Sequence, residues 1–452
     1  MKMKPKLSVI GLGKLGAPML AVFAKKGFDV IGMDLNSAFV DSINRGVAPV
    51  PEPQLQELIT EHGERIRATT DMREAVLSSD VTFIIVPTPS GPDRFFRNDY
   101  VISALESIGA ALHDKIGYHN VVVTSTVMPG STGGVLRQTL ERASGRTVGS
   151  DLGLCYNPEF IALGTVVRDM LYPDMILIGE SDPKAGDMLE SVYRGSTESG
   201  PEFQRMNWVN AELCKIAVNT YVTTKISYAN MIADMCDHLD GADADVVTDA
   251  LGADSRIGKK YIKGAIGYGG PCFPRDNKAF AALGRSLGAR TDLAEATDVI
   301  NDHQTERLVR AISASADPGA QVAILGLSYK PETPVIEESQ GLALAHKLIS
   351  IGYRVRITDP QALVSLPDQI ADGIVIKMDA ESAMAGADVV AIVTPWKAYR
   401  NLDIAAAGPK AVIDPWRVVD AAKLSAAITL IRPGMGDWLS DAAAAKHNRV
   451  MP

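Results

Sequence analysis

Apolar and polar positions along the chain fall into short runs separated by longer periodic stretches. Leu7-Ser-Val-Ile10 is an apolar run that ends in Gly11-Leu-Gly13-Lys-Leu15-Gly16. It predicts a strand, and residues 17–26 predict a helix. Gly27 follows, then a second strand over 28–33 that runs out at Asp34. Strands alternating with helices imply a parallel sheet. The alternation continues through residues 81–86, 121–125 and 152–156.

A stretch of different character begins after Pro201. From 202 to 240 there is no glycine and no proline. Val209, Leu213, Ile216, Thr220, Thr224, Ser227, Met231 and Met235 recur at three- and four-residue spacing, which predicts one long helix. Thirty helical residues span about 45 Å, too long for a layer flanking a sheet. Such a helix is expected to link two domains and to offer its faces to a partner subunit.

Ser313-Ala-Ser-Ala-Asp317-Pro318-Gly319 reads as a linker, and after it the chain starts again. Residues 321–325 predict a strand ending at Gly326, and 342–350 a helix. Gly352-Tyr-Arg-Val-Arg-Ile-Thr-Asp359 parallels Gly27-Phe-Asp-Val-Ile-Gly-Met-Asp34. Asp388-Val-Val-Ala-Ile-Val-Thr-Pro395 likewise parallels Asp80-Val-Thr-Phe-Ile-Ile-Val-Pro87. The expected fold is α/β, with two Rossmann-like doubly wound parallel-sheet domains joined by a helical domain with one long central helix. The expected bounds are 1–200, 201–312 and 319–440.

Composition narrows the classes. A chain of 452 residues suggests about two to four domains, and 46% hydrophobic residues suffice for real cores. A net charge of −9 without a basic cluster speaks against nucleic acid and anionic membranes. No apolar stretch is long enough to span a bilayer. Lys2, Lys4 and Lys6 precede an apolar run, but Gly11, Gly13 and Lys14 break it, so no signal peptide is expected. Four cysteines make no disulfide framework, and a cytoplasmic protein with reduced thiols is expected. The cysteines and histidines form no ligand spacing, so no metal site is expected.

Gly11-x-Gly13-x-x-Gly16 follows a strand and opens a helix. Glycines there allow a tight turn, close approach of a pyrophosphate and close packing of helix on strand. Asp34 ends the second strand, where its carboxylate accepts bonds from ribose hydroxyls and repels a 2′-phosphate, favouring NAD over NADP. Taken alone, the triplet is a plain tight turn; the strand, helix and acid together make the dinucleotide reading the stronger one.

Gly267-Tyr-Gly-Gly270-Pro-Cys272-Phe-Pro274-Arg-Asp276 is the most informative stretch. Pro274 suits the first turn of a helix. A cysteine just ahead of that helix feels the positive end of its dipole, which favours thiolate. Asp276 opposes thiolate formation, so its expected role is to place a water or shuttle a proton. The bland alternative is a buried structural cysteine. Lys215 and Asn219, four apart on the long helix, share a face and could donate to an oxyanion; by periodicity alone a solvated face is the commoner outcome. Glu159, in Asn157-Pro-Glu159-Phe160, and Thr126, in Ser125-Thr126-Val127, follow strands and read equally as ligands or as turn residues.

Together these residues resemble the UDP-glucose/GDP-mannose dehydrogenase family over nearly the whole chain. The motifs are the glycine fingerprint, Val86-Pro-Thr88-Pro, Ser125-Thr126-Val, Asn157-Pro-Glu159-Phe, Lys215 with Asn219, Arg256-Ile-Gly, Gly-Gly-x-Cys272-Phe-Pro-Arg-Asp276 and Ser328-Tyr329-Lys330. The cysteine motif is the specific one, and its form is similar to the UDP-glucose branch. The resemblance implies four-electron oxidation of a nucleotide sugar's C6 alcohol to a carboxylate with two NAD+. Cys272 would carry a thiohemiacetal and then a thioester, and Asp276 and Thr126 would hold the water. Glu159 would be the hydrolytic base, and Lys215 and Asn219 would stabilise oxyanions. Gly11, Gly13, Leu15, Gly16, Asp34, Thr88 and Thr126 would bind NAD. Glu159, Phe160, Lys215, Asn219, Arg256, Tyr261, Gly269, Tyr329 and Lys330 would bind the nucleotide sugar, Arg256 reaching a neighbouring subunit's site in a homodimer or higher homo-oligomer.

Two segments depart from the family's usual pattern. Leu163 stands where a second glutamate is usual, and Thr333-Pro-Val-Ile-Glu337-Glu-Ser339 lacks two acids and an arginine. On a helix or turn after Glu159, Leu163 is expected to share its face, dry the site and make thioester hydrolysis the slow step; the bland alternative is that it simply packs, the water being held by Thr126 and Asp276. Two other functions compete: a two-electron dehydrogenase of the 3-hydroxyacid type, and an inactive protein that binds nucleotide sugars. The third nucleotide-type domain and the cysteine argue against the first. The retained Cys272, Asp276, Lys215, Asn219 and Glu159 argue against the second.

Overall fold

The computed structural model describes residues 4–366, 373–436 and 438. The expected end of the last domain, at 440, lies outside them. The chain divides between Ala217 and Val218 into two compact units.

The first unit is built on an eight-stranded sheet of β1 Leu7–Ile10, β2 Val30–Met33, β3 Ile66–Thr69, β4 Val81–Ile84, β5 His119–Val123, β6 Leu152–Tyr156, β7 Met175–Glu180 and β8 Glu202–Met206. The order is β3-β2-β1-β4-β5-β6-β7-β8. Neighbours run parallel except β6 and β7, which pair antiparallel at Cys155 with Glu180 and Tyr156 with Gly179. Side chains alternate between two apolar cores. Val81, Phe83 and Val122 enter one, and Ile84, Val121 and Val123 enter the other. Both faces are therefore apolar, and helices must cover both. The order of strand addition reverses between β1 and β4, which puts a ligand crevice at their carboxyl ends.

The pattern over 202–240 predicts helix throughout, but residues Glu202–Met206 form β8, paired in parallel with β7. The absence of glycine and proline permits a strand as well as a helix, and sheet pairing decides. The long helix is Trp208–Cys236. Its buried residues include Glu212, Lys215, Asn219, Thr223, Ser227 and Asn230, whereas Val209, Leu213, Tyr221, Tyr228 and Met235 stand exposed.

In the second unit, helices Ala244–Ala253, Phe273–Ser286 and Asp292–Ser315 precede a six-stranded sheet. Its strands are β9 Gln321–Leu325, β10 Arg354–Thr358, β11 Ile374–Ile376, β12 Val389–Ile392, β13 Ala411–Ile413 and β14 Thr429–Ile431. The order β11-β10-β9-β12-β13-β14 repeats that of the first six strands, all parallel. The alternation recurs too: Val322 and Ile324 enter one core, Ala323 and Leu325 the other.

Candidate active site

The fingerprint glycines divide by what surrounds them. A Cβ on Gly11 would stand 2.2 Å from the Ile85 carbonyl oxygen, and one on Gly16 only 1.7 Å from that of Gly11. A Cβ on Gly13 meets nothing within 4 Å. The outer glycines are therefore fixed by packing, and the middle one borders open space, as the close approach of a pyrophosphate would need. Leu15 precedes the helix Gly16–Lys25, whose N-terminal N–H groups favour an anion. Asp34 accepts from the Leu12 N–H at 2.6 Å and the Asn36 N–H at 2.8 Å, so it fastens the glycine loop to the end of β2. This constellation fits a dinucleotide. Thr88 is buried beyond β4. Ser125 Oγ accepts from the Val86 N–H at 2.9 Å and ties the β4 and β5 exits together. Thr126, next along, is partly exposed. Farther on, Glu212 holds the same loop by accepting from the N–H groups of Gly130 and Thr132 at 2.6 and 2.7 Å.

Glu159 leaves the sheet beyond β6. The Lys215 ammonium donates to its carbonyl oxygen at 2.6 Å and lies 4.6 Å from the centre of the Phe160 ring. The Glu159 side chain meets the Tyr193 hydroxyl at 3.1 Å. Burial pushes the Glu159 carboxyl up to about 7, against the opposing pull of the Lys215 charge. No helix follows. Residues 157–162 have no regular structure, and the chain turns at Leu163-Gly164. The shared helical face expected for Glu159 and Leu163 is thus absent. Leu163 packs against the apolar core that contains Val166 and Leu171. Glu52 fixes the turn by accepting from the N–H groups of Gly164 and Val166.

In the second unit Cys272 is exposed and sits at the N-cap of Phe273–Ser286, with Pro274 in the first turn. One turn in, Asp276 is completely buried. Its Oδ2 accepts from Asn219 Nδ2 at 2.6 Å and its Oδ1 from Arg275 Nε at 3.1 Å. The loop before Cys272 is held from behind. Asn230 bonds Ala265 N–H and Ile266 C=O, and Asn301 bonds both backbone groups of Tyr268. The segment from Ser328 to Ser339 lies on it: Gly270 N–H donates to Glu337 C=O at 2.9 Å, and a Cβ on Gly269 would stand 2.3 Å from the Glu338 carbonyl oxygen. The Tyr329 ring covers Gly270, with Lys330 beside it at 6.0 Å from the ring centre. Tyr261 and Phe273 meet edge to face at 6.3 Å.

The structure thus gathers Asn219, Tyr261, Gly269, Cys272, Asp276, Tyr329 and Lys330 in one unit, and Glu159, Phe160 and Lys215 in the other. Arg256, also in the second unit, has a side chain that is 87% exposed and pairs with Asp254. A cavity of 310 Å³ beside the helix of Cys272 is walled by Asp298, Asp302 and Glu338, with Lys278. Its negative walls suit a diphosphate poorly. The sequence reading missed Tyr193, Glu212, Asn230, Arg275 and Asn301. Of these only Arg275 had a local signal, being next to Asp276; the others act across long sequence separations.

Three segments match models of one family: residues 5–197 its NAD binding domain, 209–303 its central domain and 323–421 its UDP binding domain. The chain belongs to the UDP-glucose/GDP-mannose dehydrogenase family. It is an NAD-dependent nucleotide-sugar dehydrogenase. The dehydrogenase is 37% identical to a UDP-glucose 6-dehydrogenase of Haloferax volcanii, over 91% of this chain and 97% of that one. It is 32% identical to a GDP-mannose 6-dehydrogenase of Pseudomonas putida, over 90% and 95%. A UDP-glucose dehydrogenase structure from Pyrobaculum islandicum superposes with a TM-score of 0.87 at 32% identity, covering 96% of this chain and 98% of that one. Among the described residues no helix is long and apolar enough to cross a membrane, and no cluster could hold a metal ion.

Proposed function

We propose that this dehydrogenase oxidises the C6 hydroxyl of a UDP-hexose, UDP-glucose first among them, to the uronate in four electrons through a thiohemiacetal and a thioester on Cys272. The observation that carries the reading is the exposed Cys272 thiol at a helix N-terminus, one turn from a buried Asp276 with a partner on each oxygen.

Gly11, Gly13, Leu15, Gly16, Asp34, Thr88 and Thr126 would hold NAD, which supplies the hydride acceptor for both oxidations. The sulfur of Cys272 adds to the C6 aldehyde, and the helix dipole favours the negative charge it carries as a leaving group. The Lys215 ammonium and the second N–H of the Asn219 carboxamide are donors for the oxyanion. Glu159 takes the proton of the water that cleaves the thioester, and Thr126 and Asp276 orient that water. Phe160, Tyr261, Gly269, Tyr329 and Lys330 bind the nucleotide sugar, Lys330 at its phosphates. The exposed Val209, Leu213, Tyr221, Tyr228 and Met235 of the long helix support a homodimer in which Arg256 serves the neighbouring subunit. The four free cysteines suit the cytoplasm, and the product class is a uronic acid for polysaccharide synthesis.

The test is a panel of UDP-, GDP- and dTDP-sugars with NAD+, counting NADH formed per sugar. Two NADH with a uronate product supports the reading. One NADH with an aldehyde product would make it a two-electron dehydrogenase, and binding without NADH an inactive homologue.

A further inference from the structure

We propose that Tyr193 is a positioning residue that favours the protonated form of Glu159 and so sets the pH above which Glu159, its proton lost to solvent, is available as the base. The proposal rests on reading Glu159 as the hydrolytic base.

Tyr193 lies on the helix Pro183–Ser196, far in sequence from Glu159. Its ring is fixed edge-on against Phe23 and Phe83, each at 6.4 Å between centres. Its hydroxyl therefore has one place to be, between Asn157 Oδ1 and Glu159 Oε1. Both are acceptors when Glu159 is ionised, and a phenol carries one proton.

Asn157 decides where that proton goes. Its Nδ2 donates to the Leu177 carbonyl at 2.9 Å, which turns Oδ1 toward Tyr193. Asn157 is 2% exposed, so water cannot replace a lost donor, and a bare buried acceptor is costly. Glu159 is partly exposed and has water as an alternative. The phenolic proton therefore belongs to Asn157, and the Tyr193 oxygen is left as an acceptor toward Glu159. That contact is a hydrogen bond only when Glu159 brings its own proton. The complete chain runs from Glu159 to Tyr193 to Asn157 to Leu177, and it is complete in the acid form alone. The other charge facing Glu159 is Lys215, whose ammonium binds the Glu159 backbone carbonyl. Lys215 favours the carboxylate, and Tyr193 opposes it.

The sign of one shift tests this. In Tyr193→Phe the acid form loses its acceptor, so the Glu159 pKa should fall by about one pH unit, a tenfold change in the acid-to-carboxylate ratio. A tyrosine that simply donates to the carboxylate would give a rise on removal, and a merely structural one no change. Either result overturns the proposal. Asn157→Ala is the second variant. It frees the phenolic proton for the carboxylate, so the pKa should again fall, and an unchanged value overturns the proposal. The readout is the infrared carbonyl band of the Glu159 carboxyl during titration of the full-length enzyme, assigned by its loss in Glu159→Gln. The band needs no turnover. If it shifts as expected while acyl-enzyme hydrolysis ignores it, the positioning stands and the role of Glu159 as base falls.

Discussion

Asn219 donates one carboxamide N–H to the buried Asp276 carboxylate, at 2.6 Å from Oδ2. Arg275 holds the other oxygen. The worry raised by the sequence, that a carboxylate beside Cys272 opposes thiolate, is met by this adjacent guanidinium. In the proposed mechanism Asn219 keeps a second N–H for an oxyanion. Asn219→Ala should therefore do two things. It should lower kcat by about 10²–10³-fold, as loss of an oxyanion donor does. It should also cost about 1–3 kcal/mol of stability by leaving a buried oxygen unpaired. Steady-state kinetics and urea unfolding check the two effects separately.

In the proposed mechanism Cys272 supplies the covalent step, while the glycine loop belongs to the other unit. Cys272→Ala should abolish uronate formation while NAD affinity by calorimetry stays at the wild-type value. Cys272→Ser should accumulate an ester adduct in intact mass, since an alkoxide leaves less readily than a thiolate. Normal uronate production by the alanine variant would end the thioester mechanism.

The three fingerprint glycines should separate by phenotype. Gly16→Ala must place a methyl 1.7 Å from a backbone oxygen. It should destabilise the fold by about 1–3 kcal/mol or more. Gly13→Ala has nothing within 4 Å, so its melting temperature should match wild type while NAD binding weakens. Asp34→Ala should weaken NAD by about 1–3 kcal/mol and narrow the preference over NADP, read by titration of both cofactors. A wild type that uses both equally would remove the specificity argument from Asp34.

Local patterns made both nucleotide-type units, the long helix and the Cys272 segment legible. A period of two or of three to four residues is written in consecutive side chains. The internal parallel of Asp34 with Asp359 was legible as sequence but not as function. Asp359 is buried and accepts from Leu327, Ser328, Gln361, Ala362 and Trp396, which makes it a structural brace. Residues that act over distance had no local sign. Tyr193 reaches Glu159 across 34 positions and Asn301 reaches Tyr268 across 33. Their partners follow from topology, which no window of sequence contains. Strand β8 was missed for a related reason, because its pairing with β7 is what selects it.

Leu163 shows how a missing helix changes an expectation. Placed on Glu159's face, it would dry the site and slow hydrolysis. It lies instead at a turn and packs on the core. Leu163→Glu should therefore fail to speed hydrolysis and should destabilise the protein by about 1–3 kcal/mol, through lost packing and a poorly solvated charge. Rapid-mix kinetics and thermal melts decide. A faster second oxidation half in that variant would restore the residue to the reacting site.

Glu159 should also leave a mark on the pH dependence of stability. Its carboxyl is pushed up to about 7, largely by burial; an unfolded glutamate titrates at about 4.3. The folded protein thus holds this proton more tightly than the unfolded chain. Stability from this group is fully present below about pH 4.3 and is lost as pH rises through about 7. The loss should be on the order of 2–3 kcal/mol, reduced by the solvent that reaches the partly exposed side chain. Glu159→Gln cannot ionise, so the difference between the melting temperatures of variant and wild type should grow from pH 4.5 to pH 7.5 in the variant's favour. Hydrolysis should run the other way. A base acts only when ionised, so acyl-enzyme breakdown should rise through about pH 7 in the wild type and stay low and flat in the variant. Parallel melting curves for the two proteins across that range would mean that Glu159 carries no shifted proton. A flat hydrolysis profile in the wild type would mean that another group takes the proton from water.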